Sequence, residues 1–479
     1  MTYLPEKPAL RAGHDTKTPQ KLIDFMMTQW RPQGRTLPKP IAAAAAHARR
    51  RAALGALFPG EALVLPTGHE QPRSNDTCFR FRPGSDFFWL TGNLEPDCVL
   101  VLRPGAGGAH QAILFVEPNP GRSNATFFTD RKKGELWVGP RLGVEQSRAR
   151  FGVDEVLPLE GLPAYLKDLP RPRVLRSFSP AVDEALSAID DGTRDKDLAR
   201  ALAELRLIKD PEEIIALQKV IAATQRGLED VIRTLGPRCT ERHVEGVLSM
   251  RARVEGNDVG YGTIAACGAN ACILHWTRND GPVTKGELLL IDAGVEGHEL
   301  YTADITRTIP VSGCFSPVQR EVYSLVCRAQ AAAFTGVKPG NDFMEPNRRA
   351  MRVLAEGLIA MGILKVPLDE ALKDDAQLYK RWTLHNVSHM LGLDVHDCAK
   401  AREQVYRHGP LQPGMVLTIE PGLYFQPDDL TVPKKYRGIG IRLEDDVLVT
   451  PKGMKNLSAA IPREPDDVER WMKGIWAKR

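Results

Sequence analysis

The sequence has no apolar run approaching the ~20 residues that a bilayer-spanning helix needs, so no membrane span is expected. It has little net charge. Its 64 Lys and Arg against 60 Asp and Glu leave +4, too small to point to a nucleic-acid partner. Two short basic clusters, Arg49-Arg50-Arg51 and Arg131-Lys132-Lys133, read as solvated faces. The stretch MTYLPEKPALRAGHDTKTPQ has neither an apolar core nor a cleavage signature, so the expectation is a cytoplasmic protein. Eight cysteines (78, 98, 239, 267, 272, 314, 327, 398) are scattered without a CxxC pair or zinc-finger spacing, and read as reduced core thiols. No solenoid-length repeat is present. Gly105–Gly108 is followed by no GK[ST], which excludes a phosphate-cradling loop there.

What is there suffices for two or more domains in 479 residues. Residues 1–45 read as an N-terminal extension, polar and pattern-poor to about residue 40. The run 41–57 favours helix through Ala and Arg, and strands then alternate with helices to about residue 200. That alternation argues an α/β domain over 46–205. A boundary falls near 204–210. Asp210-Pro211-Glu212-Glu213 then carries an N-cap Asp, Pro at the first helical position and Glu three residues on, a strong helix start. Residues 206–479 read as α+β, with helices over 319–334 and 345–361 and strands near 261–266, 286–292, 302–311, 415–425 and 438–449.

The second half is organised around 288–309, LLLIDAGVEGHELYTADITRTI. Read as a β-hairpin, its turn centres near His298, and Asp292 and Asp304 are equidistant from it. Opposed residues on antiparallel strands face the same side with Cβ atoms about 5 Å apart. Two carboxylates that close repel unless a cation lies between them, and hard divalent cations prefer oxygen ligands.

Downstream stretches strengthen the metal reading. His275 ends an apolar run in NACILHWTRN, where a lone His is more often a packed or capping residue. HNVSHMLGLDVHD holds His385, His389, His396 and Asp397 in an apolar frame, and buried imidazoles need partners. MVLTIEPGLYF places Glu420 inside an otherwise apolar strand, where an ionised Glu needs a partner or a metal. GIGIRLEDDVLVT does the same with Arg442 and Glu444. Pairing 415–425 with 438–449 sets Glu420 near Glu444. Asp304 and Glu444, on strand interiors, keep both oxygens available for bridging. One His and four carboxylates make an oxygen-rich dinuclear set that acidifies water and polarises a carbonyl. Such a site hydrolyses amides or phosphate esters, and the pattern alone does not choose.

The motifs NACILHWTRN, LLLIDAGVEG, YTADITRTIPVSG, HNVSHMLGLDVHD, GMVLTIEPGLY and YRGIGIRLEDD resemble those of the aminopeptidase P (Xaa-Pro aminopeptidase) family of pita-bread metallopeptidases, in the family's order. The resemblance covers roughly 46–460. It implies an α/β N-terminal domain of the creatinase/aminopeptidase P type followed by an α+β pita-bread catalytic domain. Asp292, Asp304, His389, Glu420 and Glu444 match the family's metal ligands, with Asp304 and Glu444 bridging two ions. The ions are usually Mn²⁺, with Co²⁺ or Zn²⁺ as alternatives, and they share a bridging hydroxide. Glu420 would also take a proton from that water. His275 and His396 match residues that hold the scissile carbonyl and assist proton transfer, and His385 matches one lining the proline pocket. Tyr261 and Arg442 match supporting positions, and Trp137 resembles an aromatic that reaches a neighbouring subunit's cleft in tetrameric members.

The implied partners are peptides with proline second, and other copies of the chain in a dimer or tetramer. A Xaa-Pro dipeptidase (prolidase) and, more distantly, a non-catalytic pita-bread binding module are the alternatives. Methionine aminopeptidase lacks the N-terminal domain, and creatinase lacks the ligand set. Trp276 stands where Tyr is usual, and Ala303 where Ser or Gly is usual.

Overall fold

The computed structural model describes residues 18–31, 36–75, 77–187, 192–401 and 409–478. Residues 1–17 and 32–35 of the pattern-poor N-terminal stretch lie outside these; of the remainder, Gln20–Met26 forms a short helix, α1. The chain divides into two compact units, Met1–Leu202 and Ala203–Arg479.

The first unit is built on a five-stranded mixed sheet of β1 (Leu63–Pro66), β2 (Val99–Pro104), β3 (His110–Val116), β4 (Glu155–Pro158) and β5 (Arg173–Val174). Its order is β4-β3-β2-β1-β5, with β1–β5 and β3–β4 parallel. The helices α2 (Ala44–Ala56) and α3 (Ser85–Thr91) pack together. Here the basic cluster at 49–51 departs from the solvated face expected of it. Arg50 and Arg51 are buried, donating to Trp89 O at 3.1 Å and Leu90 O at 2.8 Å. The carbonyls at a helix C-terminus lack intrahelical partners, and two guanidinium groups supply them for α3.

The division between the units falls at Leu202–Ala203, inside a helix, α4 (Thr193–Leu207). The helix start read at Asp210 is present. Its side chain accepts from Glu213 N, the Glu213 side chain accepts from Asp210 N, and α5 runs Pro211–Thr234. Next comes α6 (Glu241–Glu255), capped by the Thr240 hydroxyl.

The core of the second unit is made by strands in separate small sheets covered by helices. The strands β6 (Ile264–Cys267), β7 (Leu288–Ala293) and β8 (Ile305–Pro310) form an antiparallel sheet in the order β8-β7-β6. The long helices α7 (Pro317–Gly336) and α8 (Glu345–Ala360) pair with one another. The strands β9 (Val416–Ile419) and β10 (Gly422–Tyr424) are followed by β11 (Gly440–Arg442), β12 (Asp445–Thr450) and β13 (Gly453–Asn456). In these, β9 pairs with β12, β12 with β13, and β10 with β11. The C-terminal helix, α9, is Pro465–Trp476.

Two expectations about strands need correcting. The hairpin is displaced by one residue at its turn: Asp292 lies opposite Thr306 and Glu296 opposite Thr302, so the centre is Glu299 rather than His298. The turn runs through Leu300 at φ +59°, with Leu300 almost wholly buried. A left-handed residue costs roughly 1–2 kcal/mol, and burying a Leu returns roughly 1.5–3 kcal/mol, so the apolar side chain sets the register. Asp292 and Asp304 are therefore not directly opposed. They are offset by two positions, which keeps both on one face because the strand period is two.

Secondly, Asp304, Glu420 and Glu444 are not on strand interiors. Asp304 immediately precedes β8, Glu444 precedes β12, and Glu420 lies in the gap between β9 and β10. Pro421 has no N–H to continue the ladder, which is why β9 and β10 are two strands. Cysteine usage also divides: Cys98, Cys239, Cys267, Cys272, Cys327 and Cys398 are buried, whereas Cys78 is half-buried and Cys314 exposed.

Candidate metal centre

Strand ends bring the acidic residues together. The β9–β12 register, with Ile419 opposite Asp445, continues into Glu420 beside Glu444, and Gly422 opposite Arg442 resumes it beyond. The His389 segment lies against β9, through Thr418 N to His389 O at 3.0 Å, Glu420 N to Val387 O at 2.8 Å and Leu391 N to Val416 O at 3.0 Å. Glu444 N donates to Thr306 O at 3.0 Å, which joins the hairpin to this group.

His389 Nδ1 donates to Met390 O at 3.1 Å, which leaves Nε2 to face the carboxylates. That nitrogen is 3.3 Å from Asp304, 3.5 Å from Glu420 and 4.0 Å from Glu444. Asp292 joins through Tyr261, whose hydroxyl is 2.7 Å from Asp292 Oδ1 and 2.5 Å from Asp304 Oδ1. Arg442 closes the other side. Its Nη2 donates to Asp292 Oδ2 at 2.5 Å, its Nη1 to the Tyr424 hydroxyl at 3.0 Å and its Nε to Thr306 Oγ1 at 3.2 Å. Thr306 in turn donates to Glu444 Oε2 at 2.7 Å.

These groups titrate abnormally. Burial, with neighbouring carboxylates, drives Asp292 upward and Glu444 well upward, and pushes Glu420 up to about 7. Burial opposes charge on His389, but Asp304 and Glu420 outweigh it and push it up to about 9. His385 goes the other way, to about 4, through burial and the charge of Arg442. Its Nδ1 donates to Asn386 O at 2.9 Å, so its Nε2 accepts from the Tyr424 hydroxyl at 2.8 Å. His385 Nδ1 is also 3.5 Å from Glu420 Oε2.

The donor set fits a divalent cation. Ligand atoms of Asp304, His389 and Glu444 lie within 4.8 Å of one another. Glu444 Oε1 is buried and has no hydrogen-bond partner among the described residues. An unpartnered carboxylate oxygen facing an imidazole nitrogen and other carboxylates is what a hard or borderline metal fills.

Of the remaining residues singled out from the sequence, His396 sits with its ring 4.4 Å from that of His389, edge to face. His275 is exposed, and its charge acts on both His385 and His396, disfavouring their protonation. Trp137 belongs to the first unit, in the short helix Glu135–Val138, with its ring half exposed beneath the Arg131 guanidinium at 4.7 Å. Sequence reasoning missed Tyr424, Thr306 and Arg307. Tyr424 lies four residues beyond Glu420 in the same motif, which was a usable signal. Nothing local marks Thr306 or Arg307.

Among the described residues no helix is long and apolar enough to cross a membrane. The profile of metallopeptidase family M24 matches residues 215–451, and that of the aminopeptidase P N-terminal domain matches 47–174. Xaa-Pro aminopeptidase 1 of Streptomyces coelicolor is 46% identical over 490 residues, taking in 98% of this chain and 98% of that protein. Xaa-Pro aminopeptidase of Escherichia coli is 35% identical over 88% of this chain and 96% of its own length. A solved structure of zinc-substituted E. coli aminopeptidase P in complex with product aligns at TM-score 0.82 and 34% identity, covering 91% of this chain and 99% of that one. The chain therefore belongs to metallopeptidase family M24, as a metallo-aminopeptidase of the aminopeptidase P type that works with divalent metal ions.

Proposed function

We propose that this enzyme removes the N-terminal residue from peptides with proline second, using two divalent ions, Mn²⁺ in the first instance with Co²⁺ or Zn²⁺ as substitutes. Asp292, Asp304, His389, Glu420 and Glu444 would hold them, with Asp304 and Glu444 shared. The observation that carries this reading is the convergence of one imidazole nitrogen and a crowd of buried carboxylates on one spot, with Glu444 Oε1 left unpartnered. When bound, such ions acidify a water and polarise the scissile carbonyl.

The chain's own residues do the rest. Glu420 would accept the proton of the attacking water. His275 and His396 hold the carbonyl oxygen and help move that proton to the leaving nitrogen. Neutral His385, fixed by Tyr424, lines the pocket for the proline ring. Proline's tertiary amide has no N–H, so a shaped pocket must replace the backbone hydrogen bond that other peptidases use. Arg442 and Tyr261 keep Asp292 and Asp304 in position.

The same reading places a domain boundary near 205, with residues 1–45 as an extension and 46–205 as the N-terminal domain. It makes the enzyme a cytoplasmic homo-oligomer, a dimer or tetramer, in which Trp137 reaches a neighbouring subunit's cleft. The relatives' names support the peptidase choice over prolidase. The test is product release from Ala-Pro and Ala-Pro-Ala after chelation and resupply of Mn²⁺. Alanine from the tripeptide is expected. Cleavage confined to the dipeptide moves the assignment to prolidase, and no cleavage by folded, metal-loaded protein leaves a binding module.

A further inference from the structure

His275 is carried on the segment between β6 and β7, which has almost no regular structure of its own beyond one 3₁₀ turn, Gly268–Cys272. Asn279 ties it to the strand before it, donating to Thr263 O at 2.9 Å and accepting from Ala265 N at 2.9 Å, but the side chain that gathers most of its contacts near His275 is another. Glu241, the first residue of α6, is fully buried. Its Oε1 accepts from Cys267 N at 2.7 Å and Asn270 Nδ2 at 2.9 Å. Its Oε2 accepts from Trp276 Nε1 at 2.8 Å and Gly281 N at 2.7 Å. The backbone closes the same contact in reverse, with Glu241 N donating to Gly281 O at 3.0 Å. One carboxylate thus fastens the segment at its start, at Gly281 and at the residue next to His275.

No neutral side chain can replace it. Two backbone N–H groups and an indole N–H have no acceptor form. A Gln in either orientation would turn its NH₂ onto Cys267 N or onto Gly281 N and Trp276 Nε1. The packing leaves no slack either, since a Cβ on Gly281 would come within 2.8 Å of Glu241 Oε2. Trp276 also packs in the apolar cluster that includes Tyr424, the residue that fixes His385 and Arg442.

We infer that Glu241 is the positioning residue for His275, acting through Trp276, so that the indole N–H in this chain sets where the imidazole is presented to substrate. This rests on the role proposed above for His275. Misplacing a catalytic group by about 1 Å can cost ~100-fold, so Glu241→Gln is expected to lower kcat for Ala-Pro-Ala by roughly 10–100-fold and Trp276→Phe by roughly 3–10-fold. Bound metal per chain should stay at the wild-type value in both, because no ligand is touched.

The decisive readout is a double-mutant cycle. In a His275→Ala background, neither substitution should lower kcat further, because the group they position is gone. Losses that multiply instead overturn the inference while His275 keeps its role. A His275→Ala enzyme with full turnover overturns that role and the inference with it. Loss of bound metal in Trp276→Phe also overturns it, since Glu241 would then serve the metal centre. If Glu241→Gln does not fold, the Trp276→Phe cycle decides alone.

Discussion

Arg307 donates to the backbone carbonyl of Glu444 at 2.6 Å, and so grips the residue whose side-chain oxygen is left unpartnered in the metal centre. The same guanidinium donates to Thr306 O at 2.9 Å, Ile461 O at 2.9 Å, Pro462 O at 2.8 Å and Asp445 Oδ1 at 2.7 Å, all without exposure to solvent. We expect Arg307→Lys to lose about 3–5 kcal/mol of stability despite keeping the charge, because an ammonium cannot span so many acceptors. Denaturant unfolding and chelator competition check this. Wild-type stability with wild-type metal affinity would show that the grip is dispensable.

Asp304→Asn and His389→Ala are expected to abolish hydrolysis and leave the fold intact. The carboxylates of this centre repel one another, so Asp304→Asn should not lower the Tm of the metal-free protein, whereas His389→Ala removes their counter-charge and should lower it modestly without unfolding the chain. Turnover with Mn²⁺ and circular dichroism decide it. Near-normal turnover in either variant sinks the ligand assignment.

Asp397 gives a pH dependence. Its carboxylate is buried against Arg206 and Lys209, the latter at 2.9 Å, and burial's upward pull is overcome by these cations, which hold it down at about 2. A depressed carboxylate contributes stability above its unfolded pKa of about 3.9, lost as pH falls through the folded value. Asp397→Asn should therefore cost about 3–5 kcal/mol at neutral pH by taking the carboxylate from buried Lys209 and one of two from Arg206, which keeps Asp394 at 2.9 Å. The gap between variant and wild type should narrow by about 2–3 kcal/mol as pH drops from about 4 toward 2. A gap independent of pH over that window would assign the loss to packing.

Gly294→Ala should be severely destabilising or prevent folding. A Cβ there would lie 1.8 Å from Ala303 O, across the hairpin that carries Asp292 and Asp304. Backbone cannot yield that distance without separating the strands. A Tm within a few degrees of wild type, by ~4 °C per kcal/mol at most, would contradict it.

Period-two logic explains what was readable beforehand. The side on which Asp292 and Asp304 face survives the one-residue displacement of the turn, because parity and not register decides it. Glu420 and Glu444 were readable because both sit in apolar surroundings that mark them as exceptional. Thr306, Arg307 and Thr308 were not. Three polar residues in succession suggest a solvated strand, yet all three are fully buried. Their partners come from 134–155 residues away, and no local pattern encodes such contacts. Arg50 and Arg51 were misread for the same reason, since a distant helix end supplied their acceptors.

The pairing of Asp292 with Arg442 has a consequence for how the enzyme comes into being. The two residues are 150 positions apart, so Asp292 is made well before its partner. While the ribosome is still making the stretch before Arg442, Asp292 has its strand partner Thr306 but lacks the guanidinium that balances its charge. The full donor set is therefore complete only once Glu444, the last of it in sequence, has been made, two residues after the guanidinium that steadies the first.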